Sequence, residues 1–113
     1  MKRDMELIRE ILLTIEKSQT TKGSIPIQIS GFTDAEISHH IELLFKNGLI
    51  EASDNCTLSR YCWLAKKLTW QGHDFLDAIR DETRWEKAKQ HVLALGKIVT
   101  VETIKQAVSA LFL

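Results

Sequence analysis

The sequence predicts a mainly α-helical chain with one small β-hairpin, an α+β fold. Three observations carry that prediction. Apolar residues recur at helical spacing in five separate stretches. Helix caps and glycine stops punctuate them at the expected places. Between the second and third stretches, two short runs rich in apolar and aromatic residues flank a polar tip.

The first stretch places Met5, Ile8, Ile11, Leu12 and Ile15 on one face, with Arg3, Glu6, Arg9, Glu10 and Lys17 between them. This predicts a helix over 3–18. Residues 19–24 (Gln-Thr-Thr-Lys-Gly-Ser) have turn composition. Ile25-Pro-Ile-Gln-Ile29 alternates apolar and polar, as a short edge strand would, with its Pro facing away from a partner. Thr33-Asp-Ala-Glu36 is a capping box, which opens a helix bearing Ile37, Ile41, Leu44 and Phe45. Asn47-Gly48 supplies its left-handed stop. Leu49 to Ser53 and Arg60 to Leu68 read as strands around an Asp54-Asn55 turn.

Three helical stretches follow. Thr69 caps a helix that buries Phe75, Leu76 and Ile79. Thr83-Arg-Trp-Glu86 reads as a second capping box, for a helix with the stripe Trp85, Ala88, Val92 and Leu95 and a stop at Gly96. The last helix starts near Val101 and carries Val101, Ile104, Val108 and Leu111. No internal repeat or low-complexity segment interrupts the 113 residues, a length that suits one domain.

A capped helix, an Asn-Gly-Leu-Ile exit and a hairpin form the layout of a winged helix-turn-helix-like domain, with extra C-terminal helices. The winged core is expected over 1–80 and the helical extension over 81–113. The helix that would normally precede the recognition helix has little room in 19–32, so it is expected to be shortened or replaced by the short strand.

The segments Met1–Leu13, Ile37–Leu44 leading to Asn47-Gly-Leu-Ile50, and Leu68-Thr-Trp-Gln-Gly-His-Asp-Phe-Leu-Asp77 together resemble the domain-of-unknown-function 2513 family of bacterial and phage proteins. The resemblance covers nearly the whole chain. It carries over no activity and no catalytic residue. It implies a small cytosolic protein, often prophage-linked, that binds DNA. In layout the chain is also similar to winged-helix regulators, in which a Leu-Thr-x-x-Gly turn follows the wing.

Composition bounds the partners. Formal net charge is zero, which argues against retention on nucleic acid by bulk charge. Charge is uneven, however. Residues 23–58 hold five acids against Lys46, while 59–70 hold Arg60, Lys66 and Lys67 and no acid. Stepping 100° per residue from Ile37 points Ala35, Ser38, His39, Glu42 and Lys46 outward. Double-stranded DNA would then meet Ser38, His39, Glu42 and Lys46 at base edges, and Arg60, Lys66 and Lys67 at phosphates. Against this stands the acidity of the helix, with Glu42 and Lys46 placed to pair with each other. The alternative is a protein-interaction module that keeps the fold and binds no DNA. A homodimer seam along Val101, Ile104, Val108 and Leu111 would suit it, unless that stripe packs on the first helix.

No enzyme, cofactor or metal centre is expected. His73 and Asp74 are adjacent in a helix and point about 100° apart, which is wrong for a base and its orienter. Cys56, Cys62 and His73 lack a usual zinc spacing and a fourth ligand. No apolar run is long enough for a membrane span, and no export signal is visible, so a cytoplasmic location is expected.

Overall fold

The computed structural model describes residues 1–18, 23–58 and 62–112. In chain order the elements are α1 (Met5–Lys17), α2 (Asp34–Lys46), β1 (Ile50–Asp54), β2 (Trp63–Leu68), α3 (Trp70–Ile79), α4 (Glu82–Ala94) and α5 (Val101–Phe112). The fold is therefore mainly helical with a two-stranded antiparallel hairpin, as the sequence predicts. The chain divides into two compact units, Met1–His73 and Asp74–Leu113.

In the first unit, α1 starts at Asp4, whose carboxylate accepts the N–H groups of Glu6 and Leu7. Its apolar stripe is buried, and Arg9, expected on the polar face, is buried with it. α2 opens with the predicted Thr33–Glu36 capping box. Gly48 ends it at φ 75°, a left-handed conformation that costs a residue without Cβ little. The two helices pack on each other and on the hairpin, enclosing Leu7, Ile11, Leu12, Ile41, Leu44 and Ala65.

The hairpin registers Ile50 with Leu68, Glu51 with Lys67 and Ala52 with Ala65. Lys66 is thus an extra residue, a β-bulge. Strict alternation would put Trp63 and Lys67 on one face and Lys66 on the other. The bulge breaks that alternation: Ala65 and Leu68 are both buried, and Lys66 and Lys67 are both exposed.

The edge strand expected over 25–29 is reduced to one bridge, between Ile25 and Ala65. Two causes are local. Pro26 has no N–H to donate. Trp63, two residues back along β2, gives its N–H to the Ser38 hydroxyl instead of a strand partner. The helix usually found before a recognition helix is absent from 23–32, where the chain makes a turn closed by Phe32 N–H to the Ile29 carbonyl.

Thr69 makes the joint after the hairpin. Its hydroxyl donates to the Gly48 carbonyl at 2.6 Å and accepts the Gly72 N–H at 3.1 Å. Gly72 lies against the Leu49 backbone so closely that a Cβ there would collide with the Leu49 carbonyl.

In the second unit, α4 packs against α5, and Trp85, Ala88, Val92, Ile104, Ala107 and Val108 are buried. The predicted Thr83 cap is corrected. α4 begins two residues earlier, at Asp81, whose carboxylate accepts the Arg84 N–H at 3.0 Å. Asp is the stronger N-cap of the two, and it takes the role when both are in range.

Candidate nucleic-acid interface

The exposed side of α2 and the hairpin are the surfaces that sequence charge singles out. α2 is fixed from three directions. At its start, Glu36 accepts the Thr33 N–H and hydroxyl, which hold its carboxyl below the ordinary range. Midway, His40 is buried and bonded at both ring nitrogens. Its Nε2 accepts the Asp4 N–H at 2.8 Å, so Nδ1 carries the proton and donates to the Glu36 carbonyl at 2.7 Å. On the side facing β2, the Ser38 hydroxyl accepts the Trp63 N–H at 2.6 Å.

Ser38 is therefore corrected. It was expected to face outward, but it is 4% exposed and anchors β2 to α2. A residue 100° from the core direction sits at the margin of a helix face, and the hairpin covers that margin. His39 is half-buried, and burial, followed by the neighbouring His40, pushes its imidazole below the usual histidine range. Glu42 and Lys46 form the predicted i,i+4 ion pair at 3.0 Å.

On the hairpin, Lys66 and Lys67 are both exposed, and Lys67 pairs with Glu51 across the strands at 3.2 Å. Arg60, the third cation assigned to phosphates, lies outside the described residues. Lys2 and Arg3 are exposed and precede the residue that His40 ties to α2. An open groove of about 320 Å³ runs between α2 and β2, lined by Ile25, Ile27, Ile37, Ile41, Trp63 and Leu64. Trp63 is half-buried with its ring centroid 5.4 Å from that of Phe45.

The most informative residue that sequence reasoning missed is His40. At 100° per residue it lies about 60° from Ile37, on the Leu44 side and about 40° beyond Leu44, so it borders the apolar face and points nearer the core than Ser38 does. That position was the available signal for a buried histidine.

Elsewhere the expected dimer seam is corrected. Ile104 and Val108 are buried in the fold, and Val101 is half-buried. The stripe packs against α4, which leaves Leu111 as its exposed member. Cys56 and Cys62 meet, but among the described residues no third His, Cys, Asp or Glu joins them in a group able to hold a metal. No helix among these residues is long and apolar enough to cross a membrane.

Over residues 2–97 the chain matches the family described as "Hypothetical protein (DUF2513)". The chain belongs to that family. A DUF2513-sized relative is an "Uncharacterized protein" of Haemophilus influenzae (strain ATCC 51907 / DSM 11121 / KW20 / Rd), 40% identical over 107 residues, spanning 94% of this chain and 91% of the relative. No solved structure matches the chain.

Proposed function

We propose that this DUF2513 chain is a winged-helix protein that binds duplex DNA, with α2 toward the major groove and the β1–β2 hairpin on the phosphates, in a prophage-linked regulatory role. The observation that carries the reading is the bulge at Lys66. It turns two consecutive lysines to solvent on β2, the second strand after the capped helix. The single Ile25–Ala65 bridge lends further support, because it puts residue 25 beside β2 on the side away from β1, where the first strand of a winged helix would pair. Lys2 and Arg3 add cations near α2, which needs them to offset Asp34, Glu36 and Glu42.

Fluorescence anisotropy with a random duplex at low salt tests this. Nonspecific dissociation constants on the order of 10⁻⁴–10⁻⁶ M at physiological salt, tighter at low salt, are expected. Lys66→Ala should lower the slope of log affinity against log salt by about 1. Lys67→Ala should lower it less, since Glu51 already neutralises that ammonium. A titration showing no salt-dependent binding would overturn the reading.

A second reading, a protein-interaction module, draws on different observations. Both Lys46 and Lys67 are held by carboxylates of the same unit. In the second unit Leu93, Leu95 and Ile98 are exposed. Sedimentation of the full chain, alone and with duplex, separates the two readings: self-association without DNA binding favours the second.

A further inference from the structure

Cys56 and Cys62 lie on opposite arms of the hairpin tip. The ladder continues one step past the strands, where the Asn55 N–H donates to the Cys62 carbonyl at 3.0 Å. Cys56 comes next, and its Sγ accepts the Cys62 N–H at 2.9 Å. Adding one N–Cα bond of about 1.46 Å bounds the Cys56 Sγ to within about 4.4 Å of the Cys62 Cα. That is the span across which an S–S bond of about 2.04 Å is made, by side-chain rotation and without parting the arms. Both thiols are free and partly exposed.

We infer that Cys56 and Cys62 are a dithiol modification site, converted by small-molecule disulfides such as glutathione disulfide into an intrachain disulfide across the hairpin tip. The exchange balances in two steps. One cysteine thiolate attacks the glutathione disulfide, forms a mixed disulfide and releases one glutathione thiolate. The second cysteine thiolate attacks the protein-side sulfur, closes the intrachain bond and releases the second glutathione. Two electrons pass from the protein thiols to the reagent, and the two thiol protons end on the released glutathiones or in water. Burial and the neighbouring Asp54 carboxylate push the Cys56 thiol up, so the thiolate is scarce at neutral pH and exchange quickens as pH rises.

The test treats the full chain with glutathione disulfide at several pH values, quenches with acid and reads intact mass and a non-reducing peptide map. The expected product is two hydrogens lighter than the reduced chain, resists alkylation at both thiols, and links Cys56 to Cys62 within one chain. Cys62→Ser and Cys56→Ser should each stop at a mixed disulfide. Glutathione persisting on both cysteines of the unaltered chain, a bond between two chains, or two thiols still open to alkylation would each overturn the inference. The unaltered chain decides the matter even if a variant fails to fold.

Discussion

In the first unit, side-chain hydrogen bonds reach far along the sequence. Asp4 to His40 spans 36 positions, Trp63 to Ser38 spans 25, and Thr69 to Gly48 spans 21. In the second, Asp81 bonds Arg84 three positions on, and Thr103 bonds Thr100 and Ile98 three and five positions back. Its core is a buried Trp85 with small and branched residues from α4 and α5. Polar bonds of fixed geometry can set the register of unlike elements, a helix against a strand or a chain start against a helix. Two packed helices need less instruction, because interdigitating apolar side chains align them. The first unit should therefore be sensitive to loss of single polar groups, and the second to loss of volume.

The largest expected effect is in the second unit. Trp85→Ala should cost about 3–5 kcal/mol in urea unfolding, the usual range for emptying a buried aromatic site. An effect confined to about 1 kcal/mol would mean that volume does not organise the α4–α5 pair. Next comes Gly72→Ala in the first unit. The added methyl meets the Leu49 backbone, which cannot move aside as a side chain could, and a loss of about 1–3 kcal/mol or more is expected in the same assay.

His40→Ala follows at about 1–3 kcal/mol, the cost of leaving the Asp4 N–H without its acceptor. Amide exchange should report faster opening at residues 4–7 than in α5. Uniform acceleration across both units would erase the contrast between them.

Smaller still is a pair of cap variants. Asp81→Ala should cost about 1 kcal/mol, whereas Thr83→Ala should stay within about 0.5 kcal/mol. The reverse order would restore the capping box that the sequence suggests.

The smallest effect is on pH. The Glu36 carboxyl is depressed by its bonds to Thr33, so its contribution is present above the unfolded glutamate range and is lost as pH falls through the folded value. Unfolding curves of the unaltered chain and of Glu36→Ala should draw together on acidification. A gap that widens in acid would contradict that sign.

These contrasts also explain what the sequence could reveal. The Thr33 box, the Gly48 stop and the Thr69 cap are local devices, written in residues a few positions apart, and all three form. The same local logic fails at Thr83 because Asp81, two residues upstream, competes for the same free N–H groups. Ser38 and the bulge at Lys66 depend on what another element brings up to them, and periodicity along one chain segment carries no record of that. The strand expected at 25–29 fails for the same reason, since its partner's N–H is already taken by Ser38.

The bulge has a bearing beyond any ligand. Among the described residues β2 has one bridge on its outer side, to Ile25, and its Trp63 N–H goes to the Ser38 hydroxyl and not to a strand. Lys66 and Lys67, side by side at an irregular step in the strand, put two charges and a distorted repeat in the way of an incoming strand. The same two lysines that would meet phosphates thus guard the hairpin against strand addition and aggregation, and removing both charges should lower solubility even where DNA is absent.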